Sequence, residues 1–138
     1  MLKLNLFIPL IYSKIELKSA KKLEIPENEE MLLCYSLNPR QSQNIVPNPE
    51  EFLGNLVFAG QKTGEKTDDK SVCLPQGKYL FVQQRSVKAL DQAQWLEMAV
   101  EQQKDGLWER SKLGDLIYVR YLYEDGACVT QVFREVIR

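Results

Sequence analysis

Few residues in this chain are placed to do chemistry, and those that are point in different directions. Pro75-Gln76-Gly77-Lys78 could offer backbone amides and an ammonium group to an anion. A phosphate loop, however, needs several glycines followed at once by a helix N-terminus. Here the residues run into the strand-like "YLFVQQR", so Leu74-Pro75-Gln76-Gly77 reads as a type I turn with Pro second and Gly fourth. Histidine is absent, which removes the side chain best suited to proton transfer near neutral pH and the commonest metal ligand. Glu109 or Glu124 with a nearby tyrosine are the remaining acid–base candidates, as in a small carboxylate-dependent hydrolase. Their spacing demands no paired-carboxylate mechanism, and Glu124 falls in a turn. Cys34, Cys73 and Cys128 are far apart and form no CxxC pair, and a metal site would need a fourth ligand. Each lies in or beside an apolar run and reads as a small core residue of a reduced, cytoplasmic protein. No catalytic residue, metal site or cofactor is assigned.

Binding suits the composition better than catalysis. Trp95, Trp108, Tyr118, Tyr121 and Tyr123 could line an aromatic cleft; the competing reading places Trp95 in the core and some tyrosines on a sheet surface. Eighteen basic and 19 acidic side chains leave a net charge of −1, which gives no global field to hold a nucleic-acid backbone or an anionic membrane. Arg85, Arg110, Arg120, Arg134 and Arg138 are interleaved with Glu97, Glu101, Glu109, Glu124 and Glu135, a pattern that ordinary surface and cross-strand pairing explains. The glycine–aromatic motif of an RNA-binding sheet is missing.

The elements that must position these residues belong to a single domain over 1–138. Leu2, Leu4, Leu6, Ile8 and Leu10 alternate, predicting an extra N-terminal strand over 2–18 with a bulge near Pro9. The apolar part of that stretch is short and no small-x-small site follows closely, so a strand is expected there rather than a leader. No segment is long enough to span a bilayer. "MLLCYSL" (31–37) is apolar on both faces and predicts a central strand. A polar loop over 38–49 leads to a short helix, with Asn48 as cap and Pro49 at the first position. "NLVFAG" (55–60) predicts a strand, 61–70 a solvated loop, and 72–85 a strand with a turn in its first half. The long helix is "DQAQWLEMAVEQQKDG" (91–106), with Asp91 and Gln94 as a capping box and Gly106 as the stop. Trp95, Met98, Ala99 and Gln102 share one side of it. A terminal hairpin turns at Glu124-Asp125-Gly126. The fold class is α+β: a mainly antiparallel sheet with one long and one short helix.

"LEIPENEEMLLCYS" (23–36) aligns without gaps on "VCLPQGKYLFVQQR" (72–85), matching Pro26 to Pro75 and Met31-Leu32-Leu33 to Leu80-Phe81-Val82. The expected half-repeats are 23–71 and 72–138, each a strand, helix, strand and strand, with a central cleft between them. "LPQGKYLFVQQR", the Trp-bearing helix ending in "DGLWER", "IYVRYL" and "VTQVFREVI" together resemble the gyrase-inhibitor-like (GyrI-like) family, which includes effector-binding domains of transcription activators. The resemblance covers about residues 72–137, and residues 23–60 only in outline. It implies a duplicated fold whose aromatic cleft binds bulky, often cationic or amphipathic small molecules. The family's aromatic positions fall on Tyr79, Trp95, Tyr118 and Tyr121. Its acidic position falls on Val119, and Arg120 is the one charge nearby, which puts an anionic ligand in play.

The leading expectation is therefore a non-catalytic domain that binds a small organic ligand through Tyr79, Phe81, Trp95, Trp108, Tyr118 and Tyr121, with Arg120 supplying polarity. A module that binds a protein partner through an exposed strand or helix face is the alternative, and the hydrolase a further one.

Overall fold

A computed structural model describes residues 2–16, 29–62 and 70–137. The elements are β1 (Leu2–Leu6), β2 (Leu10–Lys14), β3 (Met31–Leu37), α1 (Pro49–Phe52), β4 (Leu53–Gln61), β5 (Ser71–Leu74), β6 (Gly77–Ser86), α2 (Gln92–Trp108), β7 (Leu113–Glu124) and β8 (Ala127–Val136). The eight strands form one antiparallel sheet in the order β1-β6-β8-β7-β3-β4-β2-β5, curled into a half-barrel, with one long and one short helix. Most of the expected 61–70 loop, and residues 23–28 of the first repeat motif, lie outside the described residues.

The curl has a local cause. β1 pairs with β6 from Leu2↔Phe81 to Leu6↔Gly77, and β2 pairs with β5 from Leu10↔Leu74 to Ser13↔Ser71. Three residues join β1 to β2, whereas two join β5 to β6. One extra residue on one side is a bulge, which bends the pair and sharpens its twist. Pro9 and Pro75 sit in these interruptions and could donate no ladder hydrogen bond there. Pro75-Gln76 thus kinks a chain that changes ladder partner from β2 to β1, where the sequence predicted a type I turn at the strand entry.

Alternation along each strand separates two apolar layers. Met31, Leu33, Ile117, Val119, Tyr121 and Val132 face α2 and pack with Trp95 and Ala99. Leu32, Cys34, Tyr79, Tyr118 and Phe133 face the other way and meet Tyr12 and Leu74 inside the curl. β3 contributes to both layers, which is why "MLLCYSL" is apolar at successive positions. The order strand, helix, strand, strand occurs in both halves, with different pairing. In the C-terminal half β8 lies between β6 and β7, whereas β3 pairs with β4 and β7, and β2 lies between β4 and β5.

α2 begins as its sequence predicts, with Asp91 accepting from the Gln94 amide and the Gln94 side chain accepting from the Asp91 amide. It runs two residues past Gly106. That glycine is buried inside the helix, where a Cβ would lie 2.5 Å from Leu80 Cδ1, so its role is close approach to β6. The stop comes at Arg110, at φ 63°, with the Arg110 amide donating to Leu107 O and the Ser111 amide to Gly106 O. This is a Schellman closure with arginine where glycine is usual. Asn48 caps α1 by accepting from the Glu50 amide. Asp125 and Gly126, at φ 48° and 77°, make the tight β7–β8 turn.

Candidate functional site

The fold divides the seven residues expected to form one cleft among three places. Tyr79, Phe81, Tyr118 and Arg120 point inside the curl. Trp95 and Tyr121 lie on the opposite face beneath α2, where Trp95 packs on Tyr35 and the Tyr121 hydroxyl donates to Leu90 O. Trp108, at the end of α2, is 78% exposed. Val119, the position where the resemblance implies an acid, is fully buried against the helix layer.

Inside the curl the rings fill the space themselves. Tyr79 stands edge-on to Tyr118 at 6.1 Å and to Phe133 at 5.9 Å, and Phe81 packs on Phe133 at 5.1 Å. The Tyr79 hydroxyl donates to Pro75 O at 2.6 Å. Burial pushes the Tyr79 phenol up to about 12 and raises those of Tyr118 and Tyr121 further. The Cys34 thiol, also held up to about 12 by burial, is no nucleophile in this setting. These side chains are a packed core.

Arg120 is committed as well. Its Nε donates to the Tyr12 hydroxyl at 2.7 Å, one terminal nitrogen to Gln131 Oε1 at 3.2 Å, and the other to Glu30 Oε2 at 3.1 Å. Tyr12 in turn donates to Glu30 at 2.5 Å. Burial, then the Glu30 hydrogen bond, raises the Tyr12 phenol, partly opposed by Arg120. The cluster ties β7 to β2 across two intervening strands, and its guanidinium is neutralised within the protein. It offers an anionic ligand little.

Arg134, read from the sequence as one of several surface charges, is 1% exposed, and no salt bridge among the described residues engages it. It donates to Gly114 O, to Gln103 Oε1 and to Ser42 O. Gln103 also donates to Gln41 O and Asn44 O, so the two side chains clamp the loop over 38–48 onto α2 and the sheet. Burial lowers the guanidinium to about 10. Glu109 and Glu124, the acid–base candidates, are exposed and pair with Lys3 and Arg85.

An open apolar feature lies elsewhere. A groove with a cavity volume of about 470 Å³ runs between α2 and the edge of β6, just beyond the end of β1. Its apolar lining comes from Leu2, Phe81, Val82 and Met98. Glu97, Glu101 and Asp105 stand along one wall, and all three are solvent-exposed. Their spacing of four residues sets them one helical turn apart on one stripe. Gln102, also on that wall, is 4% exposed; its amide nitrogen donates to Val132 O, which leaves its Oε1 buried without a donor. Phe81 is the one residue shared with the cleft expected from sequence. The acidic i, i+4, i+8 stripe was legible, but it reads as an ordinary solvated face until the neighbouring strand edge is known.

Compared with known proteins, the chain matches no family model, no curated protein and no solved structure. Among the described residues no group of three His, Cys, Asp or Glu side chains is placed to hold a metal, and no helix is long and apolar enough to cross a membrane.

Proposed function

We propose that this chain is a non-catalytic binding domain and that its ligand occupies the groove between α2 and the β6 edge. The ligand presents an apolar body and positive charge, and small organic cations are the simplest members of that class. The observation that carries this reading is the pairing of an apolar floor with Glu97, Glu101 and Asp105 along one wall. Apolar area drives such a ligand in, and the carboxylates select its charge; exposed carboxylates add specificity more than affinity. The GyrI-like resemblance implies a small-molecule ligand, but its acidic position is Val119 here and its cleft is not this groove. The positive charge of the ligand therefore rests on Glu97, Glu101 and Asp105 alone. The repeated order of strand, helix, strand and strand supports origin by duplication, and the three free cysteines support a reducing, cytoplasmic setting.

A matched panel tests the reading: benzyltrimethylammonium and larger aryl-alkyl ammonium ions, carboxylates of the same size, and neutral isosteres, followed by thermal shift and calorimetry. The cations are expected to bind saturably and in preference to the others. A triple change of Glu97→Gln, Glu101→Gln and Asp105→Asn is expected to abolish the preference. Equal response to all three classes, or none to any, would contradict the proposal.

A further inference from the structure

β1 shows what shape the groove is built to hold. It lies antiparallel on β6 and sends its side chains out in two rows. Leu4 and Leu6 enter the core inside the curl. Lys3, between Leu2 and Leu4 and opposite Leu80, is on the α2 side and meets Glu109 at 3.7 Å. β6 continues past Phe81 through Val82–Ser86, which pair with β8 on one side and with no described strand on the other. The groove takes its lining from both faces of β6, Val82 on the α2 side and Phe81 and Gln83 on the other, so it follows the strand edge itself.

The charges of α2 match that edge in spacing. Gly106 sits beside Leu80, and α2 begins just after β6 ends, so the helix runs back along the strand. From Glu109 toward the helix start, Asp105, Glu101 and Glu97 follow at intervals of roughly 6 Å. Alternate positions along a strand repeat at about 6.6–6.8 Å. The helix therefore sets one carboxylate beside each successive α2-facing position of a strand laid along Val82–Ser86. Lys3–Glu109 is the first rung of that ladder, and no salt bridge among the described residues engages the other three.

We infer that the groove accepts an extended peptide, which adds to β6 as an antiparallel strand in line with β1. Lys or Arg at alternate positions faces α2, and apolar side chains between them continue the row of Leu2, Leu4 and Leu6. This rests on the groove being the ligand site and goes further in naming the ligand. A small cation uses only the floor and the rim, whereas a peptide also engages the backbone groups of the β6 edge, which set register and direction.

The probe is a fluorescein-labelled, amidated hexapeptide alternating Val and Lys, read by anisotropy against the full chain. Saturable binding is expected, with no binding by the Val–Glu counterpart. Amide protons in a strand face its neighbour at alternate positions. N-methylation of one alternate set is therefore expected to weaken binding at least tenfold, and of the other set to leave it within twofold. Glu101→Lys is expected to weaken binding at least tenfold without moving the unfolding midpoint, and the alternate Val82–Ser86 amides that face away from β8 to gain exchange protection in the complex. Equal binding by both N-methylated peptides, with small cations still bound, would overturn the strand inference and leave the groove reading standing. No binding by the peptides or by the cations would remove both. A dimer of this chain that buries Val82–Ser86 would replace the peptide by a second copy and overturn the inference too.

Discussion

Inside the curl, Tyr79, Tyr118 and Phe133 pack ring on ring, and the charge of Arg120 is met by Glu30. Along the β6 edge one aromatic, Phe81, borders an open groove whose charges are three carboxylates with no salt-bridge partner among the described residues. The first region has the residue types expected of a ligand site, and the second has the space. Large rings offer so much apolar surface that a curled sheet buries them in its own core first. What remains available to a ligand is where a strand outruns its neighbour and a helix supplies the opposite wall.

The contrast can be broken most sharply from the interior. Phe133→Ala removes a ring packed on both Tyr79 and Phe81 and is expected to cost about 3–5 kcal/mol in denaturant unfolding, as large-to-small core changes do. A loss below about 1 kcal/mol would mean the interior is loose enough to admit a ligand after all. Raising the pH tests the same region through its phenols. Tyr12, Tyr79, Tyr118 and Tyr121 all keep their protons more tightly folded than unfolded. The stability they lend is full below pH 10 and is lost as pH rises through and beyond about 12. Arg134 opposes this between about 10 and its ordinary value, but it is one group against four. Phenolate absorbance of the buried tyrosines is expected to appear together with unfolding; its appearance in a still-folded protein would show that the interior is wet.

Smaller effects sharpen the boundary between the two regions. Gly106→Ala places a methyl 2.5 Å from Leu80, which is fully buried and has little room to move. The gain in helix propensity offsets part of the overpacking, so a net loss of about 1 kcal/mol is expected in thermal or denaturant unfolding. Glu101→Gln is expected to change stability by less than about 0.5 kcal/mol, as exposed substitutions do. The same change is expected to weaken cation binding severalfold. A Glu101→Gln penalty as large as that of Gly106→Ala would make the carboxylate stripe a structural feature.

Much of the frame was legible because its signals are local. The Asp91–Gln94 capping box, the Asn48-Pro49 start and the Asp125-Gly126 turn depend on neighbours within a few residues, and each appears as the sequence predicts. Parity alone also separates Tyr118 and Arg120 from Tyr121, since successive strand residues face opposite sides. Gly106 reads as a helix stop in the sequence because its role depends on Leu80, a residue of another element that only the fold brings close. Arg134 carries no sequence sign of burial, because its partners are mainly backbone carbonyls. The groove depends on where β1 ends against β6, which is a matter of register that no single segment encodes.

The claim that the ligand site is the β6 edge and not the aromatic interior is tested most directly by amide chemical-shift mapping with benzyltrimethylammonium. Saturable shifts are expected, centred on Val82, Gln83, Met98 and Gln102, with Tyr79, Tyr118 and Arg120 unmoved. Shifts centred on Tyr79, Tyr118 and Arg120, with the groove silent, would contradict it.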